Sequence, residues 1–590
     1  KPQAAKPCQA ILGHARVRHG PVYMIGLKMT MAILGCIGLI PVAASSAPLA
    51  GDLHVMLPGA GAVTGTLHAG VRSFTGIRYA QAARFETSQL WLPTKDTVID
   101  ASKVDTTMCP QGAPDAHRGS EDCLFLDVYA PASGVAKSVM FWIHGGGLIV
   151  GSKTSQPGAT GFANLVTEGD VIVVAVNYRL NVFGFFTSAD ASVPSNVGIH
   201  DQVTALHWVQ RNIASFGGDP GSVTIFGQSA GGLSVTILYQ SPKAQGLFHR
   251  TLAMSPAFQN VAQFHEPAAR VAQSISRTCL ETAGCDSLDC LRALNMTALM
   301  AACMDFLSGD FVSGIDMLFT GVDGELLPES YYTPLCEHRQ VVSAGKPLMV
   351  GSAAHEWRFF QYQGTQGASY SAQSSIEKFL TFYLDGYRAG GKPLQDCARR
   401  RVVELYEAST SSNCTLCPRL GDPRELRLAG DIEVTLGAQL LASAAGGGAR
   451  YRYLLDPEDG VEPLGATHTT VYEYFRTDPA DNGVDEEEKR RLGRALRQYW
   501  TSFAKTGVPQ SAVGPRWRPV SPDGLATSGT PLLRLRLGGA AGAATAMENT
   551  SSVPDLLADI ACGRAKLREM GGGECEIALE AARDGRLLFP

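Results

Sequence analysis

The chain has 590 residues and a net charge of −5, from 50 Lys+Arg against 55 Asp+Glu, so it lacks the positive field that nucleic-acid binding needs. Charged residues make up 18% and hydrophobic residues 45%, which excludes a disordered chain or a coiled coil and leaves ample material for a large core. The 64 Gly and 32 Pro predict many loops and show no collagen-like period.

Residues 1–23 read as an upstream segment. From Met24, a short positive region ending at Lys28 precedes the apolar run Met31–Ile40; Pro41 ends that run, and Val42, Ala43 and Ala44 supply small residues for cleavage. This order reads as a secretory signal over residues 24–44, with a retained membrane anchor as the alternative. The run is shorter than the ~20 residues a helical span needs, so cleavage, a secreted product and no stable membrane span are expected. Residues 45–590 contain no linker-like stretch that forces a break, and they read as one domain.

Val139–Ile143 is a short apolar run closed by glycines, and Asp170–Val176 is another, rich in β-branched residues; both predict buried strands. Asp201–Phe216 carries Val203, Leu206, Val209, Ile213 and Phe216 at steps of three and four, which predicts an amphipathic helix that Gly217–Gly221 stops. Val223–Phe226 predicts a strand, followed by a tight turn and an apolar helix through Leu238. Strands alternating with helices predict an α/β fold with a large, mostly parallel sheet covered on both faces.

The tight turn is Gly227-Gln228-Ser229-Ala230-Gly231. A G-x-S-x-G turn between strand and helix can force its serine out at the C-terminal edge of a sheet, so Ser229 is expected to be exposed there. A serine hydroxyl needs a base to take its proton, and the oxyanion it creates needs preorganised donors. His144-Gly145-Gly146-Gly147 follows the strand at 139–143, and backbone N–H groups there can form an oxyanion hole with the N–H of Ala230.

Fourteen cysteines fit several disulfides in a secreted chain. The rival is a metal site at Cys414 and Cys417, for which no second ligand pair follows, so no metal is expected. Sequons at Asn295, Asn413 and Asn549 are candidate glycosylation sites.

Phe216–Gly231 resembles the active-site signature of the type-B carboxylesterase and cholinesterase-like family, and Glu121–Pro131 resembles its second signature. Phe74–Ala80, Val176–Leu180, Asn196–Gln202, Asp323-Gly324 and Trp500–Gly507 are similar to other family stretches, in the same order. The resemblance implies an α/β-hydrolase fold in a single domain. It implies a triad acid at Glu356, in Gly351-Ser-Ala-Ala-His-Glu356, and a base at His468, in Gly465-Ala-Thr-His468. Asp323 is the alternative acid. Trp357 stands where the family has Gly, and the first acidic residue after His468 is Glu473. Ser255 resembles a serine that supports the acid, with Pro256 in place of the usual Gly.

The activity implied is hydrolysis of a small-molecule carboxylic ester through an acyl-enzyme. Ser229 would be the nucleophile, Gly146, Gly147 and Ala230 would hold the oxyanion, and no cofactor is required. A lipase of the same family and a catalytically silent adhesion domain, as in neuroligins, are the alternatives. The resemblance pairs Cys123 with an upstream cysteine, here Cys109. The segment between them is short and has no Trp, which argues against a choline ester, whose cation such a Trp would hold, and against a large lid. Cys290 is expected to pair with Cys279 or Cys285.

Overall fold

A β-branched run such as Ile172–Val176 cannot leave either face in water, so it pairs in the middle of a sheet. The structure, a computed structural model, describes residues 53–59, 61–112, 117–188, 193–256, 268–304, 322–329, 332–337, 339–364, 423–443, 446–456, 465–476, 486–520, 530–535, 545–550, 565–570 and 574–579. Among them, eleven strands form one sheet. They are β1 (Thr66–His68), β2 (Val71–Arg78), β3 (Phe125–Pro131), β4 (Lys137–Ile143), β5 (Ile172–Val176) and β6 (Gly218–Gln228). The rest are β7 (Arg250–Met254), β8 (Leu348–Ala353), β9 (Arg450–Leu455), β10 (Thr530–Leu535) and β11 (Thr545–Thr550).

Their spatial order is β11-β10-β9-β8-β7-β6-β4-β5-β3-β2-β1. The pairs from β10 across to β5 are parallel. The outer pairs, β10 with β11 and β5 through β1, are antiparallel. This is the α/β-hydrolase arrangement, a mixed sheet with helices on both faces.

Side chains of β4 alternate between two cores. Val139, Phe141 and Ile143 join one, with Leu206 and Val209 of α2 (Val197–Asn212) and Leu233 and Ile237 of α3 (Ala230–Gln240). Met140 and Trp142 join the other, with Phe162 and Leu165 of α1 (Gly158–Gly169). Leu496, Trp500 and Phe503, on a helix over Glu486–Thr506, complete that second face. The predicted helix at 201–216 starts earlier than expected, at Val197, because Val197 and Ile199 are buried, and its last four residues form a 3₁₀ turn.

The chain leaves β4 for β5 on one side and returns with β6 on the other. The C-terminal ends of β4 and β6 therefore flank a switch point, where an open α/β sheet leaves a crevice for ligands.

Cys109 is bonded to Cys123 as expected, and Cys290 takes Cys285 of its two candidates; Cys279 is bonded to Cys303. Asn295 is exposed, and its Oδ1 accepts the Ala298 N–H at 2.8 Å, so it caps the helix that follows. Asn549 lies in β11, at the edge of the sheet. The signal segment 24–44, Asn413 and the Cys414/Cys417 pair lie outside the described residues. No helix among the described residues is long and apolar enough to cross a membrane.

Candidate active site

The strand β6 ends at Gln228, and α3 begins at Ala230. Ser229 makes the turn between them at φ 60°, ψ −127°, a conformation that costs an L side chain energy and persists only when its surroundings hold it. Its N–H donates to Met254 O at 3.0 Å, and its carbonyl accepts the Leu233 N–H at 2.9 Å. Gly231 lets α3 approach β4: a Cβ there would lie 2.1 Å from Ile143 O. Ser229 sits at the expected edge but is only 8% exposed. This low exposure has a steric cause, because Gly145 packs against Ser229, with the position of a Gly145 Cβ 3.0 Å from Ser229 Cβ.

Glu356 is buried at the start of a helix over Glu356–Gly364, just past β8. Its Oε1 accepts the Ala353 N–H and the Ser255 hydroxyl, the latter at 2.7 Å. Its Oε2 lies 2.6 Å from His468 Nδ1. His468 is buried in the segment between β9 and a helix over Val471–Arg476, and its ring packs 4.8 Å from that of Phe360. The His355 N–H donates to Ala466 O at 2.8 Å, which ties the two segments together.

The structure thus joins Glu356 directly to His468. It joins Ser229 to His468 through the neighbouring Gln228, whose Nε2 donates to His468 O at 2.6 Å. Among the described residues the His468 Nε2 has no hydrogen-bond partner. Asp323 is engaged elsewhere: Oδ1 accepts the N–H groups of Glu325, Leu326 and Leu327, and Oδ2 accepts Asn196 Nδ2 at 2.6 Å. Trp357 is buried and packs 5.3 Å from the Phe360 ring, so the residue in place of glycine becomes part of the wall beside His468.

Gly146 and Gly147 follow β4 at φ 110° and 63°. The Gly146 carbonyl accepts the N–H groups of Ile149 and Val150 at 3.1 and 3.0 Å, while the N–H groups of Gly146 and Gly147 donate to no other described residue. A Cβ on Gly146 would lie 2.1 Å from Val150 O, so the loop closes only around glycine. The N–H of Ala230 belongs to the first turn of α3 and has no carbonyl within the helix to reach.

Two braces hold this loop, and the motifs did not mark them. His144 is fully buried, stacked 4.4 Å from the Tyr178 ring, and burial lowers its pKa to about 4. Its neutral ring sets Nδ1 2.9 Å from Gly145 O, while the Tyr178 hydroxyl donates to His144 O at 2.8 Å. Gln111, inside the Cys109–Cys123 loop, donates to Gly151 O at 2.8 Å and accepts the Gly151 N–H at 2.9 Å. Further on, the buried Lys153 ammonium bridges Asp127 at 2.9 Å and Asp105 at 3.0 Å. Burial pushes the Asp127 carboxyl above the ordinary range despite that cation.

A serine on a strained turn, a buried carboxylate–imidazole pair and a glycine loop with undirected N–H groups suit acyl transfer. Comparison with known proteins agrees. The family model described as the carboxylesterase family matches residues 52–539. The chain is 32% identical over 435 residues to liver carboxylesterase 1 of Mus musculus, covering 68% of this chain and 72% of that one. It is 30% identical over 478 residues to para-nitrobenzyl esterase of Bacillus subtilis, covering 76% and 89%. Among solved structures, a carboxylesterase of Geobacillus stearothermophilus aligns with a TM-score of 0.68 at 27% identity, over 86% of this chain and 100% of that one.

Proposed function

The chain belongs to the carboxylesterase family, and on that premise we propose that it hydrolyses carboxylic esters through Ser229, His468 and Glu356 by way of an acyl-enzyme. The observation that carries this reading is the 2.6 Å contact between His468 Nδ1 and Glu356 Oε2, tied to the Ser229 turn by Gln228. Ser229 Oγ attacks the ester carbonyl while His468 Nε2 takes its proton. Glu356 keeps the other imidazole proton on Nδ1 and stabilises the imidazolium. The N–H groups of Gly146, Gly147 and Ala230 receive the oxyanion, each such donor being worth roughly 10²–10³ in rate. His468 returns the proton to the departing alcohol, and water then cleaves the acyl-enzyme by the same route. No step calls for a metal or an organic cofactor.

Buried disulfides fit a non-cytoplasmic compartment, and with the signal-like segment at 24–44 they support secretion. The short Cys109–Cys123 loop favours small or medium neutral esters over choline esters or emulsified lipids. The test is hydrolysis of p-nitrophenyl esters of increasing acyl length, with and without an organophosphate, followed by mapping of the labelled peptide. Turnover that stops on labelling of Ser229 supports the proposal. No turnover and no label at Ser229 would replace it with the adhesion reading, and activity confined to long-chain emulsions would favour the lipase.

A further inference from the structure

Lys153 follows the glycine loop and is the only Lys, Arg, Asp or Glu between Lys137 and Glu168, yet it is 0% exposed. Its ammonium has three donors, and each meets an acceptor: Asp127 Oδ1 at 2.9 Å, Asp105 Oδ2 at 3.0 Å and the Asp105 carbonyl at 2.8 Å. Its main-chain N–H donates to Asn177 Oδ1 at 2.8 Å, just past β5. The acceptors are themselves held. Asp127, in the middle of β3, lies opposite Ala175 of β5 and accepts the Gly76 N–H at 2.8 Å. Asn177 donates to the carbonyls of Thr107 and Cys123, and Asp105 Oδ1 accepts the Thr107 hydroxyl at 2.6 Å. The Lys153 side chain therefore pins the exit of the glycine loop to β3 and to the segment that leads into the Cys109–Cys123 loop, and its peptide pins it to the end of β5.

Resting on the triad assigned above, we propose that Lys153 is a positioning residue that sets the N–H groups of Gly146 and Gly147 against Ser229. A buried ion pair often stabilises a fold no better than a well-packed apolar side chain of the same volume. What the ammonium adds is direction: three bonds to fixed acceptors admit one placement of the loop exit, and an apolar side chain would admit several. Placement matters because the loop does not hold its own donors. The N–H groups of Gly146 and Gly147 donate to no other described residue, and at φ 110° and 63° glycine has no steric preference that would fix them. The bonds that place them lie to either side. The Tyr178 hydroxyl holds the His144 carbonyl before them; after them the Asn181 N–H holds the Leu148 carbonyl at 2.7 Å, Gln111 holds Gly151, and Lys153 closes the run. Of these holding side chains only Lys153 is charged and reaches two separate acids.

The experiment compares wild type, Lys153→Met and the double variant Lys153→Met/Asp127→Asn. It measures kcat and KM for p-nitrophenyl acetate, inhibition by a trifluoromethyl ketone, melting temperature, and labelling of Ser229 by an organophosphate. Ser229 Oγ adds to the ketone carbon, its proton passes to His468, and the carbonyl oxygen becomes an alkoxide that the loop N–H groups receive, so ketone affinity reports on those donors. Misplacement by about 1 Å costs about 10²-fold, so kcat should fall by about that factor with KM nearly unchanged, and the inhibition constant of the ketone should rise in parallel. Lys153→Met alone leaves Asp127 buried without its cation and should also melt earlier. The double variant removes that buried charge, so its melting temperature should recover while kcat stays low and ketone binding stays weak. Recovery of kcat and ketone affinity together with the melting temperature would show that Lys153 only neutralises Asp127, and would overturn the proposal. A raised KM at wild-type kcat would overturn it as well, because donors to the oxyanion act after the ester has bound. Wild type that resists labelling at Ser229 would sink the triad and this role together. Labelled wild type with a double variant of wild-type kcat and ketone affinity would sink this role alone.

Discussion

The two carboxylate oxygens of Glu356 have different partners, and that makes Glu356→Gln a sharp test of the relay. Oε1 accepts the Ala353 N–H and the Ser255 hydroxyl, while Oε2 faces His468 Nδ1. A hydroxyl can rotate, but the Ala353 N–H cannot, so the amide oxygen of the variant must stay on the Oε1 side. Its NH₂ then faces Nδ1, which becomes an acceptor, and the imidazole carries its proton on Nε2. The reverse orientation would point two buried donors at each other, at about 1–3 kcal/mol for each unsatisfied group. An imidazole with its proton on Nε2 cannot take the proton of Ser229. The wrong tautomer in a related triad costs about 10⁴-fold, or about 5.4 kcal/mol in barrier height, and a loss of that order in kcat/KM is expected here. The assay is kcat/KM for p-nitrophenyl acetate from about pH 5 to about pH 9, with melting temperatures alongside. Wild type should climb with pH and level off once His468 has lost its proton. Glu356→Gln should stay low throughout. Ser255→Ala, which leaves the Ala353 N–H on Oε1, should lose only about tenfold. A folded Gln variant within tenfold of wild type, or a flat wild-type profile, would refute the relay.

Ser229→Gly and Ser229→Ala should both lack turnover, and the glycine variant should be the more stable by about 1–3 kcal/mol, because only glycine occupies a backbone at φ 60°, ψ −127° without strain. Equal melting temperatures would show that the turn stores no strain. Burial lowers the pKa of His144 from its ordinary 6.5 to about 4, so between these values the unfolded chain binds a proton that the folded chain refuses. Its contribution to stability is complete above about pH 6.5 and is lost as pH falls to about 4, by about 3 kcal/mol. His144→Asn should flatten this part of the stability curve measured by urea unfolding, and an undiminished acid slope in the variant would contradict the assignment.

The central strands were legible because parallel strands buried on both faces write continuous apolar runs, as at Val139–Ile143 and Ile172–Val176. Their edges were less legible. Local pattern begins β6 at Val223, yet the strand starts at Gly218, which pairs with Lys137 across an irregularity in register. Gly217–Gly221 reads locally as a stop, and only a neighbour distant in sequence pulls it into the sheet. The start of α2 was hard to read for a similar reason: Val197 and Ile199 are drawn into a core that the sequence pattern does not display.

The triad candidates were legible because each is a side chain whose chemistry is specific and whose neighbours form a motif. The braces were not, and the difference is physical. Gln228 reaches a main-chain carbonyl 240 positions away, Gln111 holds a peptide group 40 positions away, and His144 meets the carbonyl of Gly145. A carbonyl is the same at every residue, so nothing in the sequence marks it as a partner; folding alone decides which one a given amide meets. The choice between Glu356 and Asp323 had the same character. Both are acids near strand or loop ends, and what separates them is that Asp323 already caps a turn while Glu356 has one oxygen left to face an imidazole. Identifying a triad therefore requires knowing which donors already occupy each candidate acid. For this chain that occupancy also predicts which way an amide at position 356 must turn, and so why it should leave His468 in the tautomer that cannot act as a base.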